Sequence, residues 1–341
     1  MPNNTTPLVS IILPCYNAQL FLNKAIDSIL KQTYNNFELI CIDDCSTDKT
    51  AEILKYYESL DSRIKVYTNK KNLKIAETLN IGLQHAKGKY IARMDADDIS
   101  IPNRIELQVS FLEKDDSIGI CGGQCKVINE IDVCTGKLCY PQNDYAIKSN
   151  LLFDSSFAHP TVMFRRTIYE SLGGYKDMMP IEDLEYWHRM AKANIKMANL
   201  PEVLLLYRVH GDNVSIKNND EKKKSLIKCL YSEYPEFYYS VDDCMKYNMR
   251  FLLGDWGHKT DRVQINVIEQ VSDKLYINLL HNIFFQKDIL KETINYYKIR
   301  AYLSCCKSKE NSLYIKLYSF TKLLFSLKNT IKTLYKLHNY R

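Results

Sequence analysis

Apolar runs and amphipathic stretches alternate from the start of the chain. "LVSIILPCY" at 8–16 is apolar and short, the mark of a buried strand. Residues 18–32 then place Leu22, Ala25, Ile26, Ile29 and Leu30 at helical spacing. "FELICIDDC" at 37–45 repeats the strand pattern, and "STDKTAEILKYYESL" opens a helix on cap-type residues. "IKVYT" predicts a third strand, 75–86 a helix after Asn72, and "KYIARMDADD" a fourth strand. Strands separated by helices of this length predict an α/β fold, a mostly parallel sheet flanked by helices with right-handed crossovers. Ligands of such sheets collect at the carboxyl ends of the strands. The polar clusters fall there: Tyr16 and Asn17, then Asp43, Asp44 and Ser46, then Asp95, Asp97 and Asp98.

The pattern changes at about residue 216. A charge run, "KNNDEKKK", reads as a solvated linker. Beyond it apolar residues keep helical spacing, and thirteen of the 25 tyrosines lie there, which separates the region from the α/β half. The predicted organisation is therefore a domain over 1–215 and a helical region over 216–341, ending in a basic amphipathic tail at 311–341. In the tail Leu313, Leu317, Phe320, Leu324, Leu327, Ile331 and Leu334 recur at intervals of four and three. The tail has six basic residues and no acid, so it accounts for the whole formal charge of +6. That disfavours a general nucleic-acid surface, which needs basic residues along the main domain. Two readings of the tail stay open: a helix packed on the preceding domain or in a short coiled-coil seam, and an interfacial helix on anionic lipid.

Composition narrows the class. No apolar run approaches the roughly 18 residues of a membrane-spanning candidate. The N-terminus "MPNNTTPLVS" lacks the positive and apolar regions of an export signal, so the cytosol is the expected compartment. Eleven cysteines without a C-x-x-C pair fit a reducing environment. Cys121, Cys125, Cys134 and Cys139 do not have common zinc spacing and are expected to be buried free thiols.

Three carboxylates at one strand end repel one another unless protons or a cation neutralise them. A hard divalent ion suits oxygen donors, and magnesium or manganese commonly bridges a protein carboxylate and a substrate diphosphate. The bland alternative is a solvated acidic turn. Other nucleotide sites are excluded: "PCYNAQ" stands where a dinucleotide-binding domain needs G-x-G-x-x-G, and a P-loop is absent. A calcium loop starting at Asp95 fails because Ser100 replaces its required glycine.

The ordered series "VSIILPCYNAQLFLNKAIDSILKQTYNNFELICIDDCSTDKT", "GKYIARMDADDISIPNRIELQ", "FAHPTVMFRR", "GGY", "IEDLEYWHRM" and "YRVHGDNVS" resembles the family 2 inverting glycosyltransferases with the GT-A fold, over roughly residues 7–215. The resemblance implies that Pro14, Tyr16, Asn17, Asp43 and Asp44 hold the nucleoside, with Asp44 at the uracil. It places Asp95 and Asp97 as the D-x-D pair at the ribose and the metal-bound diphosphate. It makes Asp183 the general base, with Glu182 and Trp187 beside it at the acceptor, and gives His210 a further metal or diphosphate contact. His159, before Pro160, supports the acceptor side of the crevice. Where the family has a glycine before its third helix this chain has Asn72, Leu73 and Lys74, and Lys74 either pairs with phosphate or points to solvent.

The residue types suit that chemistry. A divalent ion at Asp97 is placed to stabilise charge developing on a diphosphate leaving group. One carboxylate taking the acceptor's proton gives a single displacement with inversion. Asp183 stands in an acidic triplet with Glu182 and Glu185, whose mutual repulsion is expected to raise its pKa. The implied enzyme moves a hexose, glucose or galactose, in β linkage from a UDP-sugar to a polyprenyl-diphosphate-linked saccharide in bacterial O-antigen or capsule assembly. It would need Mn2+ or Mg2+ and sit peripherally on the inner face of the cell membrane. The competing class is a catalytically silent sugar-nucleotide-binding or scaffold protein of the same fold.

Overall fold

The computed structural model describes residues 6–211, 219–233 and 286–307, with isolated positions between and beyond them. The chain divides into two compact units. One comprises Met1–Gln142 and Phe157–Ile216, the other Asn143–Ser156 and Lys217–Arg341.

The first unit is built on a mixed sheet. β1 (Val9–Cys15), β2 (Phe37–Asp43), β3 (Ile64–Thr68) and β4 (Tyr90–Arg93) form its parallel half in the order β3-β2-β1-β4. Helices α1 (Leu22–Leu30), α2 (Thr50–Leu60) and α3 (Lys74–His85) connect them. All of β1 is buried, as a parallel strand covered on both faces must be, and this is why its sequence is a continuous apolar run. Gly88 lies before β4 because a Cβ there would stand 2.6 Å from the Ser10 amide nitrogen and 2.7 Å from the Leu8 carbonyl.

Register sets the edge on which the site forms. Cys15, Asp43 and Thr68 are level across β1, β2 and β3. β4 stops earlier, with Arg93 beside Ile12. The chain therefore runs on past the strand, and the Met94 amide still donates to the Ile12 carbonyl at 3.1 Å.

The other half of the sheet adds β5 (Ile99–Ser100), β6 (Ile118–Ile128), β7 (Cys134–Leu138), β8 (Met163–Arg165) and β9 (Lys196–Arg208). The order continues β4-β8-β6-β9-β5, with β7 paired to β6. β8 runs antiparallel to β4 and β6, and β9 runs parallel to β6 and antiparallel to β5. α4 (Arg104–Lys114), α6 (Arg166–Leu172) and α7 (Glu182–Lys192) complete the unit, while α5 (Asp144–Leu151) lies in the second unit. Cys121 and Cys125 are buried free thiols as expected. Cys134 is exposed and Cys139 half-buried, because β7 is an outer strand with little covering it.

In the second unit α5 is capped by Asn143, whose side chain accepts the Ala146 amide at 3.0 Å. α8 (Asn219–Glu233) and α9 (Lys287–Lys307) are its other described helices. Tyr297 stacks on Phe153 at 4.3 Å and donates to Asn150 Oδ1 at 3.0 Å. The charge run read as a linker is largely the first turns of α8, consistent with the helix propensity of Glu and Lys. Of the tail at 311–341 only Ser319 and Lys322 are described, so its amphipathic helix and lipid-facing stripe lie outside the described residues. Among the described residues no helix is long and apolar enough to cross a membrane.

Candidate functional site

The loops after β1 and β2 are fastened together by side chains. Asn17, at φ +48°, accepts the Thr47 amide at 2.9 Å through Oδ1, and its own amide donates to Ser46 Oγ at 3.0 Å. The Ala18 amide donates to Thr50 Oγ1 at 2.8 Å. Asp43 is buried and accepts the Ser46 amide at 3.1 Å. Pro14 is buried inside β1 opposite Ile42, while Tyr16 emerges at the edge with half its surface exposed.

Asp44 organises the next loop. Its Oδ1 accepts from Asn69 Nδ2 at 2.8 Å and from the Leu73 amide at 2.7 Å, and its Oδ2 accepts the Lys74 amide at 2.9 Å. Lys74 has φ +70°, a left-handed backbone that costs a non-glycine residue about 1–2 kcal/mol. The Asp44 carboxylate offsets that strain by holding the amide. Lys74 is exposed, so its defined contact here is through the main chain.

Past β4 the three carboxylates converge. Asp95, Asp97 and Asp98 each present an oxygen within 4.8 Å of the others. Arg93 grips Asp95 with both terminal nitrogens, Nη1 to Oδ2 at 2.7 Å and Nη2 to Oδ1. His210 Nε2 lies 2.9 Å from Asp97 Oδ2. Asp98 is buried; its Oδ1 accepts the Arg208 amide at 2.8 Å, whereas Oδ2 is enclosed and has no hydrogen-bond partner. Burial raises the Asp95 pKa to about 6, with Arg93 opposing the rise and the Asp97 and Asp183 charges adding to it. Burial, then Asp97 and Asp95, pushes Asp98 well above the usual carboxylate range. An orphaned carboxylate oxygen among hard donors, with an imidazole beside them, fits a divalent cation such as magnesium or manganese.

The opposing acids come from α7, whose first turn holds Glu182, Asp183 and Glu185 where the helix dipole favours negative charge. Glu182 is buried, its Oε2 has no partner, and burial followed by the Asp183 charge raises its pKa to about 7. Asp95 and Arg93 also act on it, which puts α7 and the D-x-D segment in one electrostatic neighbourhood. Asp183 is half-buried and accepts the Leu184 amide at 2.7 Å. Glu185 does not take part: it is paired with Arg189 and Lys176, each at 2.8 Å. The repulsion anticipated for a triplet thus reduces to the Glu182 and Asp183 pair, and Glu182 is raised by it.

His159 and Trp187 lie beneath this surface. Trp187 has no exposed area, with the rings of Phe157 and His159 at 5.4 and 5.7 Å. His159 is buried with Nε2 3.1 Å from Tyr175 Oη, and burial, with Arg93 adding, lowers its pKa well below the ordinary value. Asn80 in α3 clamps Tyr175 from both sides of its peptide, accepting its amide and donating to its carbonyl, each at 2.8 Å.

Two arginines were missed by sequence reasoning. Arg93 occupies the last position of a buried strand two residues before Asp95, and that i, i+2 spacing on one side of an extended chain was a readable signal. Arg208 ends β9, where its Nε donates to the Asp97 carbonyl at 2.7 Å. Nothing local in its sequence announces a partner 111 residues away.

The family model "Glycosyl transferase family 2" matches residues 10–173. Over 238 residues the chain is 35% identical to the O-antigen biosynthesis glycosyltransferase WbnJ of Escherichia coli, covering 67% of this chain and 89% of that protein. Over 218 residues it is 35% identical to the UDP-Glc:alpha-D-GlcNAc-diphosphoundecaprenol beta-1,3-glucosyltransferase WfgD of Escherichia coli, covering 64% and 83%. Among solved structures, the mannosyltransferase PcManGT from Pyrobaculum calidifontis in complex with GDP-Man and Mn2+ superposes with a TM-score of 0.55 at 17% identity, covering 99% of this chain and 85% of that one. That likeness gives the GT-A fold.

Proposed function

We propose that this chain, which belongs to glycosyl transferase family 2, moves a hexose from a UDP-sugar to a lipid-diphosphate-linked saccharide with inversion at the anomeric carbon. Glucose or galactose in β linkage is the favoured hexose, with glucose supported by the UDP-Glc donor and the beta-1,3-glucosyl transfer named for WfgD. O-antigen or capsule assembly is the favoured context, supported by the name of WbnJ. The observation that carries the reading is the convergence of Asp95, Asp97 and Asp98 with His210, in electrostatic reach of Glu182 and Asp183.

In this reading the loop residues Tyr16, Asn17, Asp43 and Asp44 shape the nucleoside site over Pro14, and the Lys74 main chain closes it. Asp95, oriented by Arg93, receives the ribose. Asp97, Asp95 and His210, with the enclosed Oδ2 of Asp98 in the same cluster, would hold Mn2+ or Mg2+, and the ion would supply charge to neutralise the departing diphosphate. Asp183 accepts the proton of the acceptor hydroxyl as its oxygen bonds to the anomeric carbon. The bond from that carbon to the diphosphate oxygen breaks, and UDP leaves with the electron pair. Glu182 borders the acceptor, and His159 and Trp187 support it from below.

A screen of UDP-sugars against a synthetic lipid-diphosphate acceptor, with mass detection of product, tests the reading. A product one hexose heavier is expected. UDP-sugar binding without product for any donor and acceptor pair favours the catalytically silent binder instead. Peripheral attachment to the inner face of the membrane, through the basic tail at 311–341, belongs to the same proposal.

A further inference from the structure

We infer that the β6–β7 hairpin, together with Leu20, is a surface by which this unit rests on an anionic phospholipid bilayer. At the hairpin tip Ile131 and Val133 are 76% and 53% exposed, and Leu20 is 77% exposed. Single exposed aliphatic residues are ordinary, but Ile131 and Val133 share one hairpin tip, and the Lys24–Asp132 pair joins that tip to α1. Leu20 lies in the turn that leads into α1.

The tip is held firmly. Asn129 Oδ1 accepts the amides of Ile131 and Val133 at 3.1 and 2.9 Å. Arg208 Nη1 donates to the Asn129 carbonyl at 2.8 Å and pairs with Asp132 at 2.6 Å. The turn's polar groups are thus met from within, and two branched apolar side chains are left facing outward.

Charge selects the occupant. Lys126 and Lys137 are directly opposed across β6 and β7, both exposed, and neither makes an ion pair with any described residue. Like charges facing one another across strands repel, and an anionic surface relieves the repulsion. The Asp132 charge is already met by Lys24 and Arg208, which leaves Glu130 as the exposed acid opposing the two lysines. An apolar tip flanked by basic residues joins insertion to electrostatic attraction.

The hairpin is also fixed to the candidate site. The Arg208 side chain that holds its tip donates through Nε to the Asp97 carbonyl at 2.7 Å. A docked tip would set Asp97 at a constant height over the bilayer, where the diphosphate of a lipid-linked acceptor lies. That purpose rests on the proposed function; the binding itself does not.

The test is co-sedimentation of the full chain with phosphatidylglycerol-containing vesicles and with pure phosphatidylcholine vesicles, with no donor or acceptor present. Partition to anionic vesicles that weakens with salt is expected. The double change Ile131→Asp and Val133→Asp should lower the partition coefficient at least ~10-fold, since it removes two aliphatic groups that the bilayer would bury. Lys126→Glu with Lys137→Glu should reduce the preference for anionic lipid to what the basic tail at 311–341 supplies. Thermal melts confirm folding, and Ile131→Ser with Val133→Ser replaces the first pair if it misfolds. Wild-type partition that the tip variants leave unchanged would overturn the inference. So would no partition by the wild type, or tip variants that only convert a dimer to a monomer, which would mark a second copy as the occupant. A chain that binds vesicles through the hairpin yet glycosylates no lipid-linked acceptor would keep this inference and refute the proposed function.

Discussion

His210 Nε2 lies 2.9 Å from Asp97 Oδ2, although 113 residues separate them in the chain. β9 returns the chain to the edge at which β4 ends, and Arg208, two residues before His210, bonds the Asp97 carbonyl. In the proposed function this pair is half of the cation site. Asp97→Ala should abolish Mn2+ binding in the presence of UDP and leave the melting temperature close to wild type, because Asp97 is partly exposed. His210→Ala should weaken Mn2+ roughly 10- to 100-fold, the range for groups that orient or complete a site. Calorimetric titration of Mn2+ into each variant with UDP decides; wild-type affinity in Asp97→Ala would remove the metal assignment.

Asp183→Asn should retain UDP-sugar affinity and lose about 10²- to 10⁴-fold in turnover, the usual contribution of a general base. The amide keeps the size of the side chain and cannot take a proton. Isothermal binding and single-turnover rates separate the two effects. A variant with weakened donor binding and a normal rate at saturation would place the base elsewhere, with Glu182 the next residue to change.

Glu182 makes stability depend on pH with a definite sign. Its folded pKa is raised from 4.5 to about 7, so the native state holds a proton that the unfolded chain releases. Stability from this group is full below pH 4.5 and is lost as pH rises to about 7. In metal-free buffer, denaturant unfolding of the wild type should weaken across that window. Glu182→Gln should reduce the decline, leaving the part due to Asp95, raised to about 6, and to Asp98, raised well above the usual carboxylate range. An equal slope in both proteins would show that Glu182 is ionised throughout.

Much of this site was legible because strand ends announce themselves. Apolar runs that stop at Tyr16, Asp43 and Asp95 are the signature of a parallel sheet whose loops carry the chemistry. The antiparallel half was less visible, since β5 and β8 are two and three residues long and their pairing is decided by partners distant in sequence. The surroundings of Trp187 were hidden for a related reason. Trp187 follows Asp183 by four residues, so it shares the same helix face but lies about 6 Å further along the axis, where the rings of Phe157 and His159 cover it. The roles of Arg93 and Asp44 are set by which oxygens and amides meet, and that only coordinates supply.

The clamp between α3 and the "GGY" segment offers a test of how the acceptor side is held. A Cβ on Gly174 would stand 2.1 Å from Asn80 Oδ1, the atom that accepts the Tyr175 amide. Gly174→Ala must therefore displace Asn80, and Asn80→Ala removes the same two hydrogen bonds directly. Each should cost about 1–3 kcal/mol, through overpacking in the first case and unsatisfied peptide groups in the second. Because both act on one contact, the double variant should cost clearly less than the sum of the two. Urea unfolding of the four proteins gives the cycle. Tyr175 Oη meets His159, and His159 packs against Trp187 in α7, so turnover should fall in both single variants while UDP affinity holds. Additive stability losses would mean that Gly174 and Asn80 act independently, and the clamp would then have no part in supporting Asp183.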